Sequence, residues 1–380
     1  MNRTGGWPDA ACRAAVRRAM ARRLAPWFAV RQRDLPWRRE RTPYRIWLAE
    51  ILLQQTRSAQ AAGYYERFLE RFPTVQELAG APRQEVLRAW EGLGYYARAR
   101  QLHAAARLIV ARHAGEIPAT LAGLRALPGI GPYTAAAIGS LAFGLPAAVV
   151  DGNVVRVLAR LFCLTALPET AADRRRYQDL AQDLLPRREP GRHNEALMEL
   201  GATVCTPRNP RCPVCPLRAA CGAYARQATA DFPRRRRRPV VPHMEVGAAL
   251  VVDSRGRLLI AQRAEQDLLG GMWEFPGGKQ EPGETMAACI RRELLEELGI
   301  EIEAGPVFCH VDHAFTHFTM RLHAHWARRV RGRPRMLDCA GFAWVPRKRL
   351  VDYPMGKADA VIRAQLAPLT PWPPAWEGLS

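Results

Sequence analysis

Lysine is nearly absent from this basic sequence. Its 380 residues include 56 lysines and arginines against 36 aspartates and glutamates, a formal net charge of +20. The only lysines, however, are Lys279, Lys348 and Lys357. A reaction carried out by residues 1–278 therefore cannot use a lysine amine to form an imine with its substrate. The excess of arginine favours a polyanionic partner such as nucleic acid, although a generally arginine-rich proteome explains it equally well.

Long apolar segments are also lacking. Residues 1–24 are rich in arginine and contain no apolar core of a secretory signal, and no stretch is long and apolar enough to span a membrane. We therefore expect a protein of the cytoplasm without a membrane partner. We also expect it to be a monomer and to associate with the nucleoid. In a reducing compartment, the nine cysteines are expected to bind metal rather than to form disulfides.

The periodicity of apolar residues changes near residue 240. Before it, apolar residues recur at helical spacing; after it, strands are expected at Val246–Val252, Arg257–Gln262, Val307–Val311 and Thr319–Trp326, and a helix at Glu284–Leu298. The sequence predicts a multidomain protein, with an all-α region followed by an α+β domain. The expected parts are a basic N-terminal extension (1–25), the helical region (26–226), an Arg/Pro linker (227–243), the α+β domain (244–370) and a tail (371–380).

Five consecutive arginines, residues 234–238, lie between prolines in the expected linker. This composition is typical of an exposed connector. Contact with DNA phosphates is the alternative.

Four cysteines lie within 17 residues, at Cys205, Cys212, Cys215 and Cys221. Four thiolates so close together can bind one metal centre. Zinc sites usually use two short pairs separated by a longer insert, whereas here one short pair stands between two medium gaps. Zinc nevertheless remains an alternative to an iron–sulfur cluster, which thiolates also suit.

A glycine-rich turn, Leu127-Pro128-Gly129-Ile130-Gly131, joins two helical segments. Gly129 and Gly131 allow the backbone to approach a phosphate, and the next helix begins with free N–H groups. An ordinary tight helical turn has the same pattern. Asp151 follows twenty residues later, however, and together the two segments resemble the helix-hairpin-helix, Gly/Pro-rich loop and aspartate of a large base-excision superfamily.

A third segment is more specific. Leu35-Pro36-Trp37, Thr42-Pro43-Tyr44 and residues 47–56 closely resemble the N-terminal motif of the MutY family of adenine DNA glycosylases. The resemblance extends over residues 26–226, includes Gly92–Tyr96, and implies a 4Fe–4S cluster on the four cysteines. Glu50 lies within an apolar helical run. The alternative interpretation is a solvent-facing glutamate, for which such surroundings are unusual.

The resemblance implies roles for further residues. Glu50 protonates adenine and later helps to activate water, while Asp151 stabilises or briefly traps the sugar cation; two carboxyl groups divide the work similarly in glycoside hydrolysis. Endonuclease III has a lysine two residues after the last glycine of the hairpin, where this sequence has Tyr133, so a monofunctional glycosylase is expected. The remaining expected roles are support of the catalytic groups (Tyr133, Asn153), probing of the duplex (Gln55, Tyr95) and phosphate contact (Arg208, Arg211).

The α+β region matches every fixed position of the Nudix box from Gly278 to Ile300. Glu293, Glu296 and Glu297 share one helix face, where Mg²⁺ bridging to a pyrophosphate would neutralise them, with Arg292 placed to pair with one of them. A solvated acidic helix is the alternative. Residues 273–279 resemble MutT, the hydrolase of oxidised dGTP. Phe315-Thr316-His317 resembles the loop with which MutY proteins read 8-oxoguanine, although a strand turn without this role is the alternative.

The expected function is removal of adenine opposite 8-oxoguanine, or guanine, in duplex DNA. A second, Mg²⁺-dependent hydrolysis of oxidised dGTP is expected from the complete Nudix box. The alternatives are an endonuclease III-like glycosylase/lyase, a nucleotide pyrophosphohydrolase with a DNA-binding tether, and a DNA-binding module without catalysis.

Overall fold

The computed structural model describes residues 7–166, 169–234, 240–315 and 317–372. Thr316, four of the five consecutive arginines and residues 373–380 of the expected tail lie outside this description. The chain divides into two units. The helical unit comprises Met1–Ala79 and Ala104–Arg238, and the C-terminal unit comprises Gly80–His103 and Pro239–Ser380. Within the described residues, no helix is long and apolar enough to cross a membrane.

Helices dominate the chain up to residue 225. They are α1 (Ala10–Arg31), α2 (Pro36–Arg39), α3 (Pro43–Leu53), α4 (Ser58–Arg71), α5 (Val75–Gly80), α6 (Arg83–Ala89), α7 (Ala97–His113), α8 (Leu121–Arg125), α9 (Pro132–Phe143), α10 (Gly152–Phe162), α11 (Ala171–Leu184), α12 (Pro190–Thr203) and α13 (Gly222–Ala225). Short 3₁₀ turns follow α12 at Cys212–Val214, Arg218–Ala220 and Thr229–Asp231.

The first helix crosses residue 25, where we expected a basic extension to end. The side chain of Asp9 accepts a hydrogen bond from the N–H of Cys12 and caps α1. Every fourth residue along one face, including Met20, Leu24 and Phe28, is buried in the core of the helical unit. Residues 10–25 therefore form part of this unit, because their apolar stripe is needed to complete its core.

The expected helix-hairpin-helix corresponds to α8, the turn at residues 126–131, and α9. Gly129 takes a positive φ of 76°, which a side chain would disfavour. Gly131 precedes α9 without a side-chain cap, and a Cβ placed on it would meet no atom within 4 Å. The turn thus presents open backbone at the N-terminus of a helix.

Besides α6 and the first part of α7, the described residues of the C-terminal unit form six strands and two α-helices after residue 239. They are β1 (His243–Val251), β2 (Arg257–Gln262), β3 (Trp273–Glu274), α14 (Met286–Leu298), β4 (Glu301–Ala314), β5 (Thr319–Arg331), β6 (Gly341–Pro346) and α15 (Lys357–Leu366), with a 3₁₀ helix at Arg347–Asp352. One sheet has the order β1-β5-β4, with β1 parallel to β5 and β4 antiparallel to it. The other, β3-β2-β6, is antiparallel.

Helix α14 carries the Nudix box. It begins two residues later than predicted, because the Thr285 hydroxyl accepts from the N–H of Ala288 and caps it there. Ile290, Leu294 and Leu298 are buried against the sheets. This one-sided burial leaves the acidic residues of the box on the other face of the helix, and the predicted all-α and α+β classes are confirmed.

Candidate active site

A cavity of about 560 Å³ opens in the helical unit. Its lining combines apolar side chains with acids, arginines and a tyrosine. Four expected catalytic residues, from α3, α9 and the start of α10, line it together: Glu50, Tyr133, Asp151 and Asn153. The fold therefore brings together residues that lie more than 100 positions apart in the sequence.

Glu50 is a buried acid at the wall of this cavity. It lies on α3 and is 7% exposed, among buried neighbours such as Leu48, Ala49 and Ile51. Burial raises its pKa to about 8, and the charges of Glu195 and Asp151 act in the same direction. At neutral pH Glu50 therefore holds a proton that it can donate.

Asp151 caps α10 and is held by hydrogen bonds. Its carboxylate accepts from the N–H of Val154 at 2.7 Å and from the side-chain amide of Asn153 at 2.7 Å. Burial raises the pKa of Asp151, and these two hydrogen bonds oppose the rise. Asn153 in turn accepts from the guanidinium of Arg156 at 2.7 Å, so the carboxylate is oriented by two successive side chains.

Arg156 extends this chain of hydrogen bonds to the cysteine loop. Its Nε donates to the carbonyl oxygen of Cys205 at 2.7 Å, and its Nη2 also donates to that of Gly201 at 2.6 Å. The first cysteine of the loop is thereby linked, through Arg156 and Asn153, to Asp151.

Tyr133 stands on the first turn of α9 at the cavity. Its hydroxyl donates to the sulfur of Met198 at 3.8 Å, and 37% of the residue is exposed. Burial, followed by the charges of Glu50 and Asp151, raises its pKa above the usual range. A phenol that keeps its proton can donate a hydrogen bond to an ionised group in the cavity.

Six charged residues that line the cavity were missed in the sequence: Arg33, Arg38, Arg41, Arg57, Glu195 and Glu199. Glu199 accepts from Arg33 at 2.8 Å and from Arg38 at 3.0 Å, and Glu195 pairs with Arg38 at 3.3 Å and with Arg41 at 2.8 Å. Burial would raise the pKa of Glu199, but the hydrogen bond from Arg33 and the charge of Arg38 lower it overall. The available signal was two glutamates four residues apart on one face of α12, beside apolar positions.

This arrangement suits acid catalysis beside a cation. Glu50 holds a proton, while the carboxylate of Asp151 accepts two hydrogen bonds that favour its ionised form against the effect of burial. Carboxyl groups in unlike environments can divide between donating a proton and stabilising positive charge. A bond whose leaving group needs protonation, and whose other side becomes cationic, is the chemistry that fits.

The expected DNA-contacting residues are exposed but lie in different segments. Gln55 follows α3 with a positive φ of 56°, and Tyr95 has a positive φ of 52° and is 43% exposed. Arg208 and Arg211 lie exposed in the cysteine loop, where Arg211 donates to the carbonyl oxygen of Thr203. Tyr95 belongs to the C-terminal unit, whereas the other three belong to the helical unit.

The four cysteines of the loop are near one another and form no disulfide. Cys205, Cys215 and Cys221 pack against the core of the helical unit. Burial raises the pKa of Cys221 to about 11, and the charges of Cys205 and Cys212 act in the same direction. The number of thiols in the loop suits one metal centre. In the part of the chain that the structure describes, however, no three or more His, Cys, Asp or Glu side chains are arranged as metal ligands.

The glutamates of the Nudix box share Arg292. Its guanidinium contacts Glu284 at 3.1 Å, Glu293 at 2.9 Å and Glu296 at 3.1 Å. We expected Arg292 to pair with one of the three glutamates, but it pairs with two of them and with Glu284, which reduces their mutual repulsion. Burial, followed by the charges of Glu274 and Glu293, raises the pKa of Glu297 to about 8. A Cβ on Gly278 would collide with the carboxylate of Glu293, so this glycine is required for their close approach.

The expected 8-oxoguanine loop joins β4 to β5. Phe315 stacks on Phe318 with ring centres 4.5 Å apart, and its N–H donates to the carbonyl oxygen of Phe318 at 2.8 Å. His317 is exposed, and Thr316 lies outside the described residues. The hairpin end thus presents an aromatic stack next to an exposed imidazole.

Comparison with known proteins places both units in families. Residues 48–182 match the HhH-GPD superfamily of base excision DNA repair proteins, and residues 247–365 match the NUDIX domain. Adenine DNA glycosylases of Rattus norvegicus and Homo sapiens are 36% identical over 369 and 358 residues. These alignments cover 80% and 78% of this chain, and 70% and 64% of the relatives. The chain belongs to the adenine DNA glycosylase family.

This member of the adenine DNA glycosylase family also resembles the solved structure of a thermostable thymine-DNA glycosylase. The similarity covers 57% of this chain and 100% of that one, with 31% identity and a TM-score of 0.52. The share of this chain agrees with the length of the helical unit. The protein is therefore a helix-hairpin-helix glycosylase of base excision DNA repair, followed by a Nudix domain.

Proposed function

We propose that this protein removes adenine paired with 8-oxoguanine, or with guanine, from duplex DNA and leaves an abasic site with an intact strand. The observation that carries the proposal is the buried Glu50, whose pKa is raised to about 8 by burial, lining one cavity with Asp151. The base must leave the duplex to reach such a cavity. A volume of about 560 Å³ falls within the usual range for small-molecule sites, about 300–1,000 Å³.

The proposed reaction begins with transfer of the Glu50 proton to adenine, which makes the base a better leaving group. Cleavage of the glycosidic bond then leaves positive charge on the sugar. Asp151, held by Val154 and Asn153, stabilises this cation or briefly bonds to it. The Glu50 carboxylate, now ionised, accepts a proton from the attacking water. Tyr133 can donate to either carboxylate, since its own proton is retained.

The absence of lysine supports the monofunctional assignment. The residues of the helical unit include no lysine, and the position that bears the attacking lysine in endonuclease III is Tyr133. No side-chain amine of this unit is therefore available to form an imine with the abasic sugar.

A 4Fe–4S cluster held by Cys205, Cys212, Cys215 and Cys221 is part of the proposal. These four thiolates would bind the cluster, which would crosslink the loop. The loop itself carries the exposed Arg208 and Arg211, whose guanidinium groups can contact backbone phosphates. Gly129 and Gly131 offer further phosphate contacts through open backbone at the start of α9. Gln55 and Tyr95 would probe the duplex beside the mispair.

Recognition of 8-oxoguanine is proposed for the β4–β5 hairpin end. Stacking of Phe315 on Phe318 presents a rigid aromatic surface, and the exposed His317 offers a hydrogen-bonding group. Thr316, between them in the sequence, would supply a hydroxyl.

The intact Nudix box supports a second candidate activity, Mg²⁺-dependent hydrolysis of oxidised dGTP. Glu293, Glu296 and Glu297 would hold Mg²⁺, and the close approach of Glu293 to Gly278 keeps the box compact. The test is release of pyrophosphate from 8-oxo-dGTP by the wild type and by Glu296→Gln/Glu297→Gln. The exposed Glu301→Gln, in the same unit, is the matched control. Turnover that does not depend on Mg²⁺, or that survives the double substitution, would contradict the activity.

The glycosylase proposal is tested by single-turnover adenine release from duplexes with adenine opposite 8-oxoguanine, guanine and thymine. We expect the first to react fastest, the second more slowly and the third very little. Glu50→Gln should slow release by ~10²–10⁴-fold, the usual contribution of general acid catalysis. Glu66→Gln makes the same change at an exposed position of α4 and should have no effect. Equal release from all three duplexes would contradict the proposed specificity.

A further inference from the structure

The loop between α6 and α7 belongs to the C-terminal unit, although it lies within residues 48–182, which match the HhH-GPD superfamily. It presents Tyr95 with a positive φ of 52°, after Gly92 (φ 87°) and directly after Gly94 (φ 79°). A tyrosine rarely adopts this conformation, so the surrounding structure must hold it in place. An exposed aromatic residue on a fixed backbone is suited to insertion between bases.

Arg98 packs against the Tyr95 ring. Its guanidinium lies 5.3 Å from the ring centres of both Tyr95 and Trp90, and the residue is 6% exposed. Both Arg98 and the Trp90 indole donate to the carbonyl oxygen of Gly94 at 3.1 Å. These contacts fix the ring of Tyr95 to its own loop.

The next residue, Tyr96, connects this loop to the Nudix domain core. Its hydroxyl accepts from the N–H of Gly92 at 3.0 Å and donates to the carbonyl oxygen of Met355 at 3.4 Å. Tyr96 is 2% exposed and Met355 is fully buried. One hydroxyl group therefore bridges the two parts, using both its donor and its acceptor capacity.

Further bonds surround this bridge. Glu91 accepts from Arg363 on α15 at 2.6 Å, and both side chains are largely buried. Other side chains of residues 80–103 donate to backbone carbonyl oxygens of the Nudix domain: Gln84 to Gly271 at 3.1 Å, Arg88 to Asp352 at 2.5 Å and Arg100 to Gly270 at 2.6 Å. A set of bonds along both flanks of a loop restricts rotation as well as translation.

We propose that Tyr96 and the Glu91–Arg363 ion pair are positioning residues that fix the Tyr95 probe to the region that reads 8-oxoguanine. The inference rests on the proposed function, because the roles of Tyr95 and of the Phe315–His317 loop come from there. Tyr95 and the Phe315–His317 loop, which both contact the mispair, are then carried by one unit. The position of Tyr95 therefore constrains the position of this loop. Glu50 and Asp151 lie in the other unit, so the coupling governs selection of the mispair rather than cleavage.

The test is Tyr96→Phe, which removes only the bridging hydroxyl. The measured quantity is the ratio of single-turnover adenine release from adenine opposite 8-oxoguanine to that from adenine opposite guanine. We expect this ratio to fall by about 3- to 10-fold, the effect of one net hydrogen bond. Tyr177→Phe is the matched control, because Tyr177 is buried in the helical unit and its hydroxyl also donates to a backbone carbonyl, that of Ala166. The control should keep the wild-type ratio.

Two further variants separate positioning from general damage. Glu91→Gln, which removes the charge facing Arg363, should lower the same ratio. In a Tyr95→Ala background, Tyr96→Phe should have no additional effect on it, since the hydroxyl acts through Tyr95. A further fall of the ratio in that background would overturn the inference, as would an unchanged ratio in both Tyr96→Phe and Glu91→Gln. A wild type without preference among the duplexes would instead contradict the proposed function itself.

Discussion

Replacing Glu50 with glutamine should stabilise the helical unit while removing its proton donor. The wild-type side chain is buried, with a pKa raised to about 8 from 4.5 mainly by burial. Glutamine has nearly the same volume and carries no charge at any pH. In the wild type, folding keeps protonated an acid that water would ionise, and this reduces the free energy of unfolding. The variant has no such loss.

The magnitude follows from proton linkage. Because the pKa of Glu50 is higher in the folded than in the unfolded chain, its contribution to stability is complete below about pH 4.5 and is lost as pH rises through about 8. At pH 7 the unfolded chain gains about 3 kcal/mol from ionising Glu50, and beyond pH 8 about 5 kcal/mol. Glu50→Gln should be more stable than the wild type by these amounts.

Guanidinium unfolding midpoints of wild type and Glu50→Gln at about pH 5, 7 and 8.5 measure this difference. The stability advantage of the variant should grow with pH, while adenine release by the wild type should decline above about pH 8 as Glu50 loses its proton. Glu66→Gln, at an exposed site, should show neither effect. If the advantage of Glu50→Gln is independent of pH, Glu50 is not the desolvated acid described here.

Three other results are expected. Borohydride should trap no protein–DNA adduct under conditions that trap endonuclease III, because the helical unit has no lysine; an adduct would contradict the monofunctional reaction. Arg156→Gln should slow single-turnover adenine release by about 10- to 100-fold, the effect of a hydrogen bond from a charged donor, because Asn153 loses its partner; an unchanged rate would show that Asp151 is oriented independently. Phe315→Ala should reduce the preference for adenine opposite 8-oxoguanine over adenine opposite guanine, and an equal loss on both duplexes would contradict a role in reading the lesion.

Local patterns were sufficient to predict some of these features. The burial of Glu50 could be anticipated because apolar residues surround it within two helical turns. The end of the Nudix helix was predicted at Leu298, where the structure ends it before Gly299, but its start was predicted two residues too early because the Thr285 cap was missed. The helical and α+β classes followed from periodicity in the same way.

Contacts between distant residues could not be predicted by such patterns. Glu195 and Arg38 are 157 positions apart, and an acid on a helix is usually solvated until a partner helix covers it. Residues 80–103 likewise have an ordinary helical pattern, and only their bonds to residues such as Gly271 and Arg363 join them to the C-terminal unit. The sharing of Arg292 among three glutamates also depends on the folded geometry around Gly278 rather than on helical spacing alone.

The charge of the cavity explains how Glu50 can keep a proton near several arginines. Arg33, Arg38 and Arg41 all pair with Glu195 or Glu199. Their positive charge is therefore largely compensated and has little effect on the pKa of Glu50. After burial, the negative charge of Glu195 is the largest influence on the pKa of Glu50, and it acts upward. An unpaired arginine in the same place would instead favour the ionised carboxylate. The ion pairs of α12 thus favour the protonated form of Glu50, since they keep a negative charge near it while compensating three of the arginines that line the cavity.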